Sequence, residues 1–180
     1  MATYYVRQDG NDSNTGLGST TGLAWQSLDK ALGATGITSG DTLWIAPGDY
    51  RRGTTLTIGG TYTSMVYIKG DPTASQFPGM TAGRILITSR LGNDSGTGVS
   101  TMSQIIDLNS KNFMTWENMV FEQAYLQRQI FHARTGTDLA WKNCLFLATG
   151  QQQIDAFVVT SAPGVTRNIL FSRCAWAGIG

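Results

Sequence analysis

The repeat in the second half of this 180-residue chain constrains its fold more than any other feature. Three segments align without gaps: N-F-M-T-W-E-N-M-V-F from Asn112, T-D-L-A-W-K-N-C-L-F from Thr137 and R-N-I-L-F-S-R-C-A-W from Arg167. The aromatic residues at the fifth position of each segment lie 25 and 30 residues apart. A repeat of this length built from strands predicts a solenoid, because stacked circuits of chain bury one continuous core.

Side chains alternate within each repeat, as expected of a strand that is buried on one face. Met114 and Trp116, for example, are separated by a polar residue. Stacked strands lie about 4.8 Å apart, so equivalent residues form columns. Asn118 and Asn143 form one column where the chain must turn, since asparagine tolerates the left-handed conformation. Arg173 takes that place in the last repeat, and we expect a distorted turn there.

The predicted fold class is all-β: a right-handed parallel β-helix with a short N-terminal capping helix. Helical periodicity occurs only at Leu28, Ala31 and Leu32, with Ser27 as the N-cap. We expect this helix, with Trp25 and Trp44, to cover the open first end of the core. The predicted organisation is a cap and first coil over 1–53 and further coils over 54–180. Pro47 and Gly48 predict a turn, and strands are predicted over 4–7, 42–46, 54–58, 65–69, 84–88, 104–108, 113–121, 129–133, 139–146, 156–160 and 169–176.

Composition excludes several functional classes. Only 14% of the residues are charged, the net charge is +1, and 22 residues are glycine. The lysines and arginines are scattered, which argues against a nucleic-acid partner and against a basic membrane anchor. No apolar stretch is long enough to span a bilayer, and no signal peptide is recognisable after Met1. The low charge fits stacked columns, in which like charges would repel each other.

Residues 4–50 resemble the N-terminal module of right-handed parallel β-helix proteins of the pectate-lyase-like superfamily. The resemblance rests on Y-Y-V-R-Q-D-G-N-D-S-N-T-G from Tyr4, A-W-Q-S-L-D-K-A-L from Ala24 and G-D-T-L-W-I-A-P-G-D-Y from Gly40. The superfamily includes polysaccharide lyases and glycoside hydrolases, and also tailspikes, fibres and other virion proteins of bacteriophages. The resemblance therefore implies a fold more firmly than a function.

Asp9, Asn11, Asp12 and Asn14 form a cluster of oxygen ligands of the kind that calcium prefers. The glycine and glutamate of a calcium-binding EF-hand loop are missing, however. The alternative is a turn in which these side chains bond to the local backbone. We expect no cofactor and no metal, with calcium at Asp9, Asn11 and Asp12 as the alternative.

The carboxylates of the repeat region do not reveal a catalytic pair, and the catalytic residues stay unknown. A hydrolase needs two carboxyl groups roughly 5–9.5 Å apart. The candidates are Glu117, Glu122, Asp107, Asp138 and Asp155. Glu117 and Lys142 are equivalent on neighbouring coils and predict a surface ion pair. Asp107 falls opposite His132 or Ala133, without a second carboxylate. The single histidine, His132, is assigned a structural role rather than a catalytic one.

Cys144 and Cys174 occupy one repeat column and are expected to lie on adjacent coils as buried thiols. Whether they form a disulfide stays open, because sequence gives neither separation nor angles. Aromatic residues could form a sugar-binding platform. We assign Trp116, Trp141 and Trp176 to the core instead.

Three functions stay open. The favoured one is a non-enzymatic bacteriophage virion protein (tailspike, tail fibre or capsid-decorating protein), made in the host cytoplasm, located on the virion and contacting host-surface glycans. The alternatives are a secreted, extracellular polysaccharide lyase or glycoside hydrolase, and a bacterial adhesin or sugar-binding module. The repeat pattern still runs over 169–176, so we expect either further coils beyond Gly180 or coverage by partner subunits, by analogy in a homotrimer. Other virion proteins are the remaining expected partners.

Overall fold

The computed structural model describes residues 1–89, 104–123, 129–133, 137–148, 155–159 and 168–178. Within them the chain forms one helix of five residues, α1 (Leu28–Leu32), and otherwise short strands. The strands are β1 (Thr3–Val6), β2 (Thr42–Ile45), β3 (Gly48–Arg51), β4 (Leu56–Thr57), β5 (Val66–Gly70), β6 (Ile85–Thr88), β7 (Gln104–Asp107), β8 (Met114–Glu117), β9 (Val120–Gln123), β10 (Gln129–Ala133), β11 (Leu139–Lys142), β12 (Leu145–Ala148), β13 (Asp155–Val159), β14 (Ile169–Ser172) and β15 (Ala175–Gly178).

The strands pair in parallel and form three sheets. Sheet A has the order β1-β2-β5-β8-β11-β14, sheet B the order β3-β6-β9-β12-β15, and sheet C the order β4-β7-β10-β13. From β2 onward the chain visits sheets A, B and C in turn before it returns to A. We call one such passage a circuit. The prediction of an all-β chain with parallel sheets and very little helix is confirmed.

The hydrophobic core lies between the three sheets and draws residues from all of them. In sheet B the strand register stacks Phe121, Phe146 and Trp176 on successive circuits. The rings of Phe121 and Phe146 lie 5.6 Å apart with 17° between their planes, and those of Phe146 and Trp176 lie 5.4 Å apart at 16°. In sheet A the rings of Trp141 and Phe171 stack in the same way at 5.1 Å. The predicted columns of equivalent aromatic residues are confirmed.

A left-handed turn separates sheet A from sheet B on three successive circuits. Asn118, Asn143 and Arg173 have φ angles of 60°, 52° and 53°. The Asn143 Nδ2 atom donates to Asn118 Oδ1 at 3.0 Å, and Asn118 Nδ2 donates to the carbonyl of Gly70 at 3.3 Å. The turns divide each of the predicted strands 113–121, 139–146 and 169–176 into two strands.

The expected distortion at Arg173 is wrong. Its φ angle matches those of the two asparagines. The Asn143 amide donates to the Ser172 carbonyl at 2.9 Å, and the Ala175 amide donates to the Cys144 carbonyl at 3.0 Å. These backbone hydrogen bonds on either side hold the turn in register, so an arginine adopts the left-handed conformation despite its steric cost.

The first edge of sheet A is covered by the segment that leads into α1. The amide of Tyr5 donates to the Gly16 carbonyl at 2.8 Å, and the amide of Trp25 donates to the Tyr5 carbonyl at 3.0 Å. Ser27 caps α1 by accepting from the Lys30 amide, and the apolar face of the helix is buried. The predicted helix and its N-cap are confirmed. No helix in the part of the chain described here is long and apolar enough to cross a membrane.

Two tryptophans and one strand differ from the sequence prediction. Trp44 is half-buried on the outer face of sheet A, where the Lys69 ammonium lies 5.6 Å from its ring, because its strand alternates. Trp176 stacks on Phe146 but is 54% exposed, since it lies on the last described circuit. Residues 48–51 form strand β3 of sheet B, where the sequence predicts only a turn.

Candidate ligand-binding groove on sheet B

The outer face of sheet B carries a column of polar residues that the strand register brings together. Arg51 on β3 pairs with Thr88 on β6, Thr88 pairs with Glu122 on β9, and Glu122 pairs with Leu147 on β12. Neighbouring side chains on each strand, such as Tyr50 and Phe121, point into the core. The same alternation that builds the core therefore projects these polar groups outward.

Asp49 forms ion pairs with two arginines, Arg51 and Arg84, at one end of this column. Arg84 Nε donates to Asp49 Oδ1 at 3.0 Å and Arg84 Nη2 donates to Oδ2 at 3.0 Å, a bidentate pair. The Arg51 guanidinium lies 3.7 Å from Asp49 Oδ2. The Arg84 side chain remains 61% exposed, whereas that of Asp49 is 30% exposed. Asp49 thus orients two cationic groups, of which Arg84 is accessible to a ligand.

Glu122 supplies a carboxylate with little access to solvent. The residue is 8% exposed, and Thr88, which is 1% exposed, donates its hydroxyl to Glu122 Oε2 at 2.8 Å. The amide of Ser89 donates to the Glu122 carbonyl at 3.2 Å, which fixes the backbone at this point. A carboxylate held in this way, in a pocket that two arginines also line, can accept a hydrogen bond or a proton from a bound molecule.

These residues line a groove made of two adjoining pockets. The first pocket has a volume of about 130 Å³ and is lined by Asp49, Arg51, Arg84, Leu86, Thr88, Glu122 and Leu147. The second has a volume of about 290 Å³ and shares Asp49 and Arg51 with the first. We call the two together the sheet B groove. The first pocket holds two arginines and two carboxylates, Asp49 and Glu122, so it suits a polar ligand with many hydroxyls that places a carboxylate on the exposed Arg84.

The predicted oxygen cluster near the N-terminus serves the local backbone. Asp12 accepts from the amides of Gln26 and Ser27 at 2.9 Å each and from the Ser27 hydroxyl at 2.6 Å. The Asn11 side chain accepts from the Ser13 amide at 2.9 Å. Asp9 binds the Arg7 guanidinium at 2.6 Å, and this hydrogen bond holds the pKa of the Asp9 carboxyl below its usual value.

The fourth member of that cluster, Asn14, donates to the carbonyls of Thr21 and Ala24. Within the described residues no group of three or more histidine, cysteine, aspartate or glutamate side chains could hold a metal ion. The side chains of Asn11, Asp12 and Asn14 bond to nearby backbone groups, as in the turn that the sequence also allowed.

The other carboxylates singled out by the sequence lie away from the groove. Glu117 is on the outer face of sheet A, 3.5 Å from Lys142 and 3.8 Å from Lys69, which confirms the predicted ion pair and adds a second lysine. Asp107 lies on sheet C, is 8% exposed and accepts from the Asn109 amide at 2.8 Å. His132 pairs with Asp107 in strand register.

The remaining two of the five candidate carboxylates are Asp138 and Asp155. Asp138 has a φ angle of 56° and accepts from the Asn168 side chain at 2.7 Å, so it belongs to a turn. The backbone of Asp155 starts β13, and its side chain lies outside the part that the structure describes. Of the five predicted carboxylates, the described structure places only Glu122 in the groove.

Cys144 and Cys174 are free thiols at equivalent places on adjacent circuits. The Cys144 thiol donates to the Lys142 carbonyl at 3.3 Å, and the Cys174 thiol donates to the Trp141 carbonyl at 3.3 Å. Cys144 is buried and Cys174 is half-buried. The prediction of adjacent coils is confirmed, while that of burial holds fully only for Cys144.

Four residues of the groove were not identified from the sequence: Asp49, Arg51, Arg84 and Thr88. The segment from 60 to 102 lacks the repeat that aligns the later coils, so Thr88 could not be placed in the column of Glu122. The available signal was P-G-D-Y-R from Pro47, in which Asp49 and Arg51 flank a core residue with strand alternation.

Comparison with known proteins supports the fold only. No family model matches the chain, and no curated protein matches it. The solved structure of a rhamnogalacturonan lyase matches with a TM-score of 0.56 and 15% sequence identity. The match covers 98% of this chain and 52% of the lyase chain, so this chain spans about half the length of that protein. At this identity the likeness concerns the arrangement of the strands.

Proposed function

We propose that the chain is a right-handed parallel β-helix that binds an acidic polysaccharide in the sheet B groove. The rotation of strands through three parallel sheets and the likeness to the lyase support this fold. One observation supports the binding of an acidic polysaccharide: Asp49 pairs with Arg51 and Arg84 in the groove that also holds the buried Glu122.

The groove suits a chain of sugars that carry carboxylates. An extended ligand that crosses the strands of sheet B meets Arg51 and Arg84 first and then the carboxylate of Glu122, which Thr88 holds in place from below. Guanidinium groups bind carboxylates with two parallel hydrogen bonds, whereas a carboxylate accepts hydrogen bonds from sugar hydroxyls. Because Asp49 already orients Arg84, less conformational entropy is lost when the ligand binds.

Cleavage of the bound polysaccharide by a lyase reaction is the second candidate function. The likeness in fold to a rhamnogalacturonan lyase favours it. Glu122 could accept the proton from the carbon next to the sugar carboxylate, while the exposed Arg84 binds that carboxylate. The glycosidic C–O bond then breaks as a C=C bond forms, and water protonates the leaving oxygen. A two-carboxylate hydrolase fits less well. Its second carboxylate would be Asp49, which is engaged with Arg84 and Arg51.

The first test is a binding panel of rhamnogalacturonan, polygalacturonate, alginate and neutral dextran, measured by calorimetry. We expect an acidic member to bind and dextran not to bind. The variant Arg84→Gln should weaken binding by about 10- to 150-fold, since a hydrogen bond to a charged group contributes about 1.5–3 kcal/mol. Glu117→Gln, which removes a carboxylate on sheet A, is the matched control and should bind like the wild type.

The same samples test catalysis when unsaturated products are measured by ultraviolet absorbance. Product formation that is lost in Glu122→Gln supports the lyase, and binding without product supports a recognition module. Binding of dextran as tight as that of the acidic polymers would contradict the proposal.

The setting of this activity is proposed from the resemblance of residues 4–50. We propose that the chain belongs to a bacteriophage virion, contacts glycans of the host surface and assembles as a homotrimer. Light scattering at high concentration measures the assembly, and a stable monomer would contradict the trimer. Genes for capsid, portal or tail proteins beside its own gene would support the virion setting.

A further inference from the structure

The sheet B groove continues into a pocket where β3 meets the N-terminal cap. Gln8, Gln26 and Ser27 line it from the cap side, and Asp49 and Arg51 join it to the rest of the groove. Of the described strands in sheet B, β3 and β15 are the two edge strands, and β3 is the one beside the cap. The wall beyond β3 is therefore built by cap residues, and we call this space the cap pocket.

Two side-chain amides hold the cap against β3. Gln8 Nε2 donates to the Asp49 carbonyl at 2.5 Å, and Gln26 Nε2 donates to the Gln8 carbonyl at 3.2 Å. Both residues are exposed. Since the nitrogens bind the backbone, the amide oxygens are oriented and can accept hydrogen bonds from a ligand.

Arg52 adds a buried donor to the same pocket. The residue is 8% exposed, and two of its guanidinium nitrogens bind Asp29 of α1. Its Nε atom is buried and has no hydrogen-bond partner in the described structure. An unsatisfied buried donor is costly. A ligand oxygen that accepted a hydrogen bond from this Nε atom would remove the cost.

We propose that the cap pocket binds the terminal sugar of the polysaccharide that lies in the sheet B groove. This inference rests on the proposed function and adds to it the recognition of a chain end. A ligand that follows the groove across the strands meets the cap at Gln26 and Ser27. Sugar hydroxyls donate and accept, and they match the amide oxygens of Gln8 and Gln26 together with the donors of Arg51 and Arg52.

The test uses two size-fractionated oligosaccharides of the acidic polymer that binds in the panel, one twice as long as the other, and the shorter one already long enough to fill both pockets of the groove. Recognition of an end predicts equal affinity per mole of chain, because each chain has one such end. Gln26→Ala should raise the Kd about five- to tenfold, the effect of losing one or two neutral hydrogen bonds. Gln76→Ala is the matched control, since Gln76 lies in the loop after β5 and lines neither pocket.

The outcomes separate the two proposals. The cap pocket is ruled out if the affinity per chain rises with length and Gln26→Ala binds like the wild type. If Arg84→Gln binds weakly in the same experiment, the proposal of the sheet B groove still stands. Weak binding by Gln26→Ala with equal affinities per chain supports the cap pocket. If no member of the panel binds, both the groove and the cap pocket are wrong. Circular dichroism of each variant establishes that it is folded.

Discussion

The same left-handed backbone conformation recurs with different side chains at three turns, those of Asn118, Asn143 and Arg173. All three have φ angles between 52° and 60°. Asparagine tolerates this region, whereas for arginine it costs roughly 1–2 kcal/mol. The hydrogen bonds between circuits on either side of Arg173 offset that cost.

Replacing Arg173 by asparagine should therefore stabilise the protein. We expect Arg173→Asn to raise the free energy of unfolding by about 0.5–1 kcal/mol, as measured in urea. The reverse change, Asn143→Arg, should lower it by about 1–2 kcal/mol, because it also removes the hydrogen bond to Asn118. Equal stabilities of Arg173→Asn and the wild type would show that the turn carries no strain.

The two cysteines differ in reactivity although they share one column. Burial raises the pKa of the Cys144 thiol to about 12, and Cys174 is only half-buried. The thiolate is the reactive form. We expect iodoacetamide at pH 8 to modify Cys174 well before Cys144, as followed by peptide mass spectrometry. Modification of Cys144 as fast as that of Cys174 would contradict the protection of Cys144 by burial.

The capping helix α1 is tied to sheet B by the ion pair between Asp29 and Arg52. The hydrogen bonds from Arg52 lower the pKa of the Asp29 carboxyl below its ordinary value of 3.8. A lowered pKa in the folded state means that the pair stabilises the protein above about pH 4, and that this stability is lost as pH falls below that value.

The variant Asp29→Asn tests this link. It should be less stable than the wild type at pH 7, and the difference should shrink as the pH falls below 3.8, as measured by thermal unfolding. A constant difference at every pH would mean that the charge of Asp29 has no role in holding the helix. The matched control is Asp49→Asn, which breaks an ion pair outside the cap.

The strands of sheets A and B on the later circuits could be predicted from sequence, because equivalent residues recur in columns. Trp116, Trp141 and Phe171 have the same spacing as the turn residues that follow them. The groove could not be predicted in this way. Its residues come from the segment 60–102, where no repeat fixes the register, and from the strands on either side of it, so Asp49 and Glu122 fall on one face only once the strands are paired.

The molecule as a whole depends on aromatic contacts that link all three sheets. The ring centroid of Phe131 in sheet C lies 5.6 Å from that of Trp116 and 5.1 Å from that of Trp141, both in sheet A. It also lies 4.7 Å from Phe121 and 6.2 Å from Phe146 in sheet B. The Phe131 ring therefore contacts aromatic rings of two successive circuits, in sheet A and in sheet B.

Removal of this ring should destabilise the protein more than removal of an outer-face ring. We expect Phe131→Ala to lower the free energy of unfolding by about 3–5 kcal/mol, since it leaves a cavity in the core. Tyr67→Ala, on the half-buried outer face of sheet A, should cost less. A smaller loss for Phe131→Ala than for Tyr67→Ala would contradict a core shared by the three sheets.

The central claim is that a polysaccharide lies on the outer face of sheet B. The crystal structure of the chain with an acidic oligosaccharide from the binding panel tests it most directly. We predict sugar density across β3, β6 and β9, with a sugar carboxylate on Arg84 and a hydroxyl on Glu122. Density on the aromatic face of sheet A, over Trp44 and Tyr67, with no sugar in the sheet B groove, would contradict it.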